Sequence, residues 1–259
     1  MDEVGKYSGG KATGEWKFYH ENGTLRKVGK YLNGDKTGEW KVYKESGELT
    51  TIENYVEGKR LGTYQSYHEN GELKMTGNYS NGKAAGEWKF YHNNGKLSSA
   101  GNYSNGNRTG AYKSYRENGT LKKEGDYLDG KATGEWKHYY ENGVLMNKGQ
   151  YSNDNLTGEW QNYHENGKIY QIKLWNGKKL MEIISCFDGQ GNPLDKGTLK
   201  NGNGAVKEYD IDGKLTKEKE YLDGLLYNWD DHKSLNTIAW YYYENHTDDE
   251  HLNTAISFV

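Results

Sequence analysis

The chain has 259 residues, of which 33% are hydrophobic and 27% charged, and its formal net charge is -3. The mean hydropathy of -1.14 excludes a thick aliphatic core, because there are too few Leu, Ile and Val side chains to fill one. The 24 Tyr and 8 Trp recur at fixed spacing, which argues against disorder. A charge so close to balance does not attract a polyanion over the whole surface, so we expect no nucleic-acid partner.

A single cysteine, Cys186, rules out an internal disulfide and any multi-cysteine metal site. It lies in the apolar run from Ile183 to Phe187, which predicts a buried structural thiol rather than a nucleophile. The first residues lack the basic and apolar regions of a signal peptide. No stretch approaches the roughly 20 apolar residues of a membrane span. We therefore expect a cytoplasmic protein, unless a leader has already been removed.

In chain order, the sequence repeats every 24 residues from its first glycine-glutamate-tryptophan motif onward. Each unit places an aromatic residue, a tyrosine three positions later, a turn glycine and an aliphatic residue at fixed positions. The first aromatic column is Trp16, Trp40, Tyr64, Trp88, Tyr112, Trp136 and Trp160, and the tyrosine column is Tyr19, Tyr43, Tyr67, Tyr91, Tyr115, Tyr139 and Tyr163. These seven regular units occupy residues 1–169.

Within the first unit, residues 15–20 are rich in strand-forming aromatics, and residues 24–32 form the returning strand. The Glu-Asn-Gly sequence between them predicts a tight hairpin turn, because Asn and Gly tolerate positive φ. Residues 33–38 are expected to form a longer link to the next hairpin. Trp16 and Tyr19 are three residues apart, so either both faces of the sheet carry aromatics or a bulge lies between the two.

The predicted fold is all-β: an elongated, single-layer antiparallel sheet of about nine tandem 24-residue hairpins. Residues 170–224 contain two degenerate units, in which Phe187 and Tyr209 continue the tyrosine column with a changed spacing. Residues 225–259 are predicted to be a capping segment that covers the open sheet edge. Within it, Ser234 is a plausible N-cap for a short helix that ends near Asn245.

The polar columns do not predict catalysis, a cofactor or a metal, so we expect no enzyme. Four histidines share one position of the repeat, but neighbours such as His68 and His92 would lie roughly 10 Å apart, too far for one metal ion. Lys44 and Arg116 occupy the same position in other units, which indicates a solvent-facing strand end. The repeated Glu and Lys beside each Trp are typical of ordinary ion pairing on a sheet.

One column varies between otherwise similar units and shares a face with the tryptophans. Because the repeat does not determine these residues, we hypothesise that they contact a partner. The column is Phe18, Val42, Ser66, Phe90, Ser114, His138 and Asn162.

The unit from Tyr79 to Gly101, with its Gly-Lys, Gly-Glu-Trp-Lys and Asn-Gly elements, resembles the MORN repeat. It is most similar to the variant found in YwqK-type bacterial antitoxin proteins. The resemblance covers about residues 5–224 and implies a non-catalytic module that binds a protein partner, here a toxin to be neutralised. The alternative it implies is a scaffold or a module associated with membrane lipid. We expect a monomer, or a dimer paired through sheet edges.

Overall fold

The computed structural model describes residues 2–227, and within this range it contains strands and turns but no helix. The chain divides into two compact units, unit 1 ending at Gly143 and unit 2 starting at Val144. The prediction of an all-β protein built from tandem antiparallel hairpins is confirmed. The helix predicted from Ser234 to Asn245 lies outside the described residues.

Unit 1 is an antiparallel meander in which each strand pairs with the next one in the chain. Lys59–Arg60 and Gly62–Tyr67 are the two parts of one interrupted strand, and both pair with the strand Leu49–Val56. The strands are β1 (Glu3–Ser8), β2 (Lys11–Tyr19), β3 (Leu25–Leu32), β4 (Asp35–Tyr43), β5 (Leu49–Val56), β6 (Lys59–Arg60), β7 (Gly62–Tyr67), β8 (Leu73–Ser80), β9 (Lys83–Tyr91), β10 (Leu97–Ser104), β11 (Asn107–Tyr115), β12 (Leu121–Leu128) and β13 (Lys131–Tyr139).

The two kinds of turn are confirmed, but their relative lengths were predicted wrongly. The link between β3 and β4 is the tighter turn, because Asn33 and Gly34 both adopt positive φ (54° and 94°) and join the strands in two residues. The loop between β2 and β3 is longer, and His20 and Gly23 close it through a backbone hydrogen bond of 3.0 Å. Gly38, assigned to the link from sequence, lies inside β4.

The open question about Trp16 and Tyr19 is answered by the hydrogen bonds of the tyrosine column. Tyr163 Oη donates to Gln161 Oε1 at 2.7 Å, and Tyr139 Oη donates to Glu124 Oε1 at 2.7 Å. These tyrosines therefore lie on the face of the Glu and Lys column, opposite the tryptophans. Both faces of the sheet carry aromatics. We call the tryptophan side the aromatic face and the other side the ion-pair face.

The core of unit 1 consists of tryptophan rings lying on glycine backbone. Trp40 is fully buried, and a Cβ atom added at Gly29 on the neighbouring strand would lie 2.1 Å from its ring. Trp88 lies in the same way over Gly77, where the corresponding distance is 2.2 Å. Tyr31 packs edge-on against Trp40 with ring centroids 5.0 Å apart. A single layer with few aliphatic residues can bury its core in this way.

Unit 2 begins with four strands in the same antiparallel order: β14 (Leu145–Ser152), β15 (Asn155–Tyr163), β16 (Ile169–Gly177) and β17 (Lys179–Cys186). A separate sheet follows, made of β18 (Gly204–Tyr209), β19 (Leu215–Leu222) and β20 (Leu225–Tyr227). The chain returning after β17 contains Pro193, which has no N–H to donate, and it forms only isolated bridges rather than a strand.

The prediction of a single layer is therefore wrong for unit 2. Its buried cluster joins the two sheets through Leu180, Ile183, Leu199 and Val206, each at most 4% exposed. Unit 2 keeps one tryptophan on glycine, Trp160 over Gly149, and adds aliphatic side chains that are covered from both sides. The first residues of the predicted capping segment, Leu225–Tyr227, form a strand.

Candidate functional site on the aromatic face

Six of the seven predicted contact residues form a row on the aromatic face of unit 1, alternating with residues of the intervening strands, and Asn162 occupies the equivalent position in unit 2. Lys27, for example, pairs with Phe18 on one side and Val42 on the other. Ser66 and Ser114 are 6% and 7% exposed, and the other five are half-buried. The residues are therefore placed as predicted, but most of their surface is already used within the sheet.

The larger members of this row pack against the tryptophans. The Phe18 ring lies 6.0 Å from that of Trp16 and 6.2 Å from that of Trp40. Phe90 lies 6.4 Å from Trp88. The row thus contributes to packing, and its role in partner contact stays a prediction.

Sequence reasoning missed that variation in this row is coupled to variation nearby. In the third and fifth units the tryptophan is replaced by Tyr64 and Tyr112, and in both units the row residue is a serine. In the same two units an arginine, Arg60 or Arg108, stands at the fourth residue before the tyrosine. The Arg108 guanidinium lies 5.3 Å from the Tyr112 ring. The cation therefore occupies space that the larger tryptophan ring fills in the other units. The signal was present in the sequence as the joint occurrence of the three replacements.

The surroundings of the third unit depart further, because Glu53, on the adjacent strand β5, occupies the position that is glycine in the neighbouring units. Its carboxylate is 7% exposed and accepts hydrogen bonds of 2.6 Å from Tyr55 Oη and from Arg60. A buried charge is tolerated here because it is paired and hydrogen-bonded. The smaller ring of Tyr64 leaves room for this side chain.

Cations on the aromatic face stand over the rings. Lys27 Nζ and Lys36 Nζ each lie 4.9 Å from the centroid of Trp40, and Lys123 Nζ lies 5.4 Å from that of Trp136. Burial and repulsion by Lys36 lower the pKa of Lys27 to about 8. Within residues 2–227, Arg60 is ion-paired with Glu53, whereas these three lysines have no carboxylate partner.

The repeated lysines beside the glutamate column of the ion-pair face are instead paired with carboxylates. Lys17 pairs with Glu15 at 3.2 Å and Lys41 with Glu39 at 3.1 Å, along the same strand rather than across strands. The same pairs recur at 3.0 Å in Lys89–Glu87 and 2.9 Å in Lys137–Glu135, and Lys113 pairs with Glu124 across strands. The two faces of one sheet thus differ in how their positive charge is compensated.

A family model described as a MORN repeat variant matches the chain seven times, at residues 12–33, 36–57, 60–81, 85–105, 108–129, 132–153 and 156–176. These segments cover more than half of the sequence. The chain belongs to the MORN repeat family. It is a repeat module of a kind that usually binds protein or membrane.

No curated protein matches the chain. A crystal structure of a GtfA/B complex bound to UDP and GlcNAc is 14% identical and covers 42% of this chain and 22% of that chain, with a TM-score of 0.20. The crystal structure of TcdB2-TccC3-TEV is 15% identical over 85% of this chain and 15% of that chain, with a TM-score of 0.22. A structure of the Photorhabdus luminescens Tc holotoxin pore is 14% identical over 86% and 15%, with a TM-score of 0.18. At these TM-scores the likeness carries no argument about this chain.

The histidine column links successive MORN repeats. His20 Nε2 lies 3.0 Å from the carbonyl oxygen of Tyr43, and His68 Nε2 lies 2.9 Å from that of Tyr91. A carbonyl only accepts, so Nε2 carries the proton. The same bond recurs from His92 and His164, and Arg116 replaces it with a guanidinium donor. The interpretation of this column as a solvent-facing strand end is wrong, because the rings are half-buried or, at His164, buried.

The remaining predictions concern Cys186, metal ligands and membrane-spanning segments. Cys186 is 2% exposed, and burial raises the pKa of its thiol above the usual value, which confirms the predicted buried position. Across the described range, no three His, Cys, Asp or Glu side chains group as metal ligands. A search of residues 2–227 for a helix long and apolar enough to cross a membrane finds none.

Proposed function

We propose that this MORN-repeat chain is a non-catalytic module that binds a protein partner through the aromatic face of its repeats. The observation that supports this is the row from Phe18 to Asn162, in which side chains of different size and polarity stand on one repeated backbone. A repeated scaffold with varied side chains can present a specific surface without any change of fold.

The finer proposal is that the partner is a toxin, which the chain neutralises as an antitoxin or immunity-type protein. The support is the resemblance of the units to YwqK-type repeats and the lack of a catalytic constellation in the sequence. An antitoxin needs only a tight interface, so a module without chemistry suffices for this role.

Co-expression tests the proposal. The chain would be tagged and expressed together with the product of the neighbouring gene, and the purified pair analysed by calorimetry. We expect a stable complex at micromolar concentration or below. Failure to find any protein partner at that level would contradict protein binding, and a partner without toxicity in cells would contradict only the antitoxin role.

Liposome co-sedimentation serves as the counter-test. A module that binds membrane lipid sediments with anionic vesicles and is released by salt. We expect the chain to remain in the supernatant at physiological ionic strength.

A further inference from the structure

The aromatic face carries cations that the sheet itself does not neutralise. In residues 2–143 they are Lys27, Lys36, Arg108 and Lys123, whereas Arg60 on the same face is paired with Glu53. On the ion-pair face, five lysines each have a carboxylate within 3.2 Å. In unit 1 the cations that lie over the rings of the aromatic face are therefore uncompensated except at Arg60, whereas the lysines of the repeated Glu and Lys column on the other face are paired.

The densest point of this charge is at β3 and β4. Lys27 and Lys36 share the Trp40 ring, and Lys36 also lies 4.8 Å from the Tyr55 ring. The rings beneath are buried and exclude water from one side of both ammonium groups. Two like charges placed together over an apolar floor raise the free energy of the unbound protein, and an anion that lies between them lowers it.

We propose that Lys27 and Lys36, over Trp40, form the anchoring site for a carboxylate side chain of an acidic protein segment. This inference rests on the proposed protein-binding function and specifies the chemistry of its partner. Arg108 and Lys123, farther along the same face, supply a second point of attachment for the same segment.

The spacing and depth of the cations favour an acidic protein segment over nucleic acid. Lys27 and Lys123 occupy equivalent positions four repeats apart, or roughly 38 Å at two strands per repeat, whereas phosphates follow one another every ~3.4 Å along a strand of DNA. Most phosphates would therefore lack a partner. The five tryptophans of the first aromatic column are 0–5% exposed, so they cannot stack with bases.

The same depth argues against a lipid surface. Both lysines are half-buried, and both ammonium groups lie over the Trp40 ring. A glutamate or aspartate on a flexible peptide can reach into this site, whereas a headgroup must remain in the plane of the bilayer.

The experiment measures binding of a fluorescent poly-glutamate peptide to the full chain by anisotropy. We expect Lys27→Met and Lys36→Met each to weaken binding severalfold, and the double variant to weaken it about tenfold or more. Methionine keeps the apolar cover on Trp40 and removes the charge. The matched controls, Lys17→Met and Lys41→Met on the ion-pair face, should leave affinity unchanged. Equal losses in the controls, or no loss in the double variant, would overturn the inference.

A pH series on the unaltered chain provides a test that needs no variant. The groups that act on Lys27 are Lys36, Glu53 and Arg26, and the net effect with burial is a pKa of about 8. Affinity for poly-glutamate should therefore fall as the pH rises through this value, and this fall should be absent in Lys27→Met. A fall of the same size in both proteins would count against the site.

Two further probes decide between sources of anion. Oligo(dT) of the same length as the peptide and vesicles containing phosphatidylserine should bind more weakly than poly-glutamate, and tighter binding of either would overturn the acidic-protein assignment. If a natural protein partner is found and the Lys27→Met/Lys36→Met variant binds it as well as the unaltered chain does, this site is wrong while the proposed function stands.

Discussion

In unit 1 the buried side chains are tryptophans that lie on glycines of a neighbouring strand, whereas in unit 2 the largest buried cluster is aliphatic and lies between two sheets. The change occurs where the glycine column ends. The position 24 residues after Gly149 is Lys173, whose side chain prevents a ring from lying on the backbone. Burial lowers the pKa of Lys173, and the strand residue opposite it is Ile183. A single layer is thus sufficient where a ring lies on glycine or, at Glu53, where a smaller ring accompanies the replaced glycine, but not at Lys173.

The largest effect on this difference between the two units is expected from removing a tryptophan ring of unit 1. We expect Trp40→Ala to destabilise unit 1 by ~3–5 kcal/mol, because Trp40 is fully buried and the single layer cannot close over the cavity. The measurement is urea unfolding followed by circular dichroism, with hydrogen exchange to locate the loss. Ile183→Ala is the matched change in unit 2, and the loss of hydrogen-exchange protection that it causes should be confined to that unit. Loss of protection throughout both units would contradict separate cores.

A second test adds volume instead of removing it. Gly77→Ala would place a Cβ atom 2.2 Å from the Trp88 ring, and we expect a loss of ~1–3 kcal/mol. At Gly101 the nearest atom, Tyr112 Cδ2, is 3.1 Å away, so Gly101→Ala should cost distinctly less. Equal effects of the two substitutions on the urea midpoint would show that ring placement over glycine is not the cause.

The irregular third repeat gives a double-mutant cycle. Tyr64→Trp alone should destabilise the protein, because Glu53 occupies the space of the larger ring. Glu53→Gly alone should also destabilise, because it leaves Arg60 without its carboxylate. Combined, the two changes restore the common repeat, and we expect a favourable coupling free energy of ~1–2 kcal/mol. Additive effects in thermal or urea unfolding would disprove the compensation between the two positions.

Each residue of the histidine column should contribute less to the free energy of unfolding. We expect His68→Ala to cost ~1 kcal/mol, the net value of one hydrogen bond to the Tyr91 carbonyl. His68→Arg, which copies the arrangement at Arg116, should retain most of this stability because a guanidinium donor can replace the ring. Hydrogen exchange at the turn would locate the change. A larger loss in the arginine variant than in the alanine variant would be inconsistent with a donor role.

The smallest expected effect depends on pH. The pKa of Lys27 falls from 10.5 to about 8 on folding, so between these values the unfolded chain binds more protons and stability rises with pH. Below the folded-state pKa, the loss of stability caused by burying charged Lys27 is fully present. Lys27→Met should therefore raise the urea midpoint slightly at neutral pH, and the advantage should disappear as the pH approaches the unfolded-state value. An advantage that grows with pH would reverse the sign of the argument.

Much of the fold could be predicted from the sequence, because a period of 24 with two glycine turns leaves little choice beyond hairpins. The repeated Asn-Gly and Gly-Glu-Trp elements predicted all-β units with the correct strands. They did not show which turn is shorter, since both contain residues that tolerate positive φ. The row from Phe18 to Asn162 was also placed correctly on the tryptophan side. Its burial was not predicted, because burial depends on rings contributed by adjacent repeats.

What the sequence alone determined is local and periodic: the hairpins, the turns, the aromatic columns and their common face. What only the tertiary structure decided is set by residues that lie on different strands. The turn-bridging histidines, the Glu53–Arg60 pair beneath a smaller ring, and the second sheet of unit 2 all depend on such neighbours. The sequence repeat shows which residues recur, but packing density and charge compensation depend on contacts between residues of different strands.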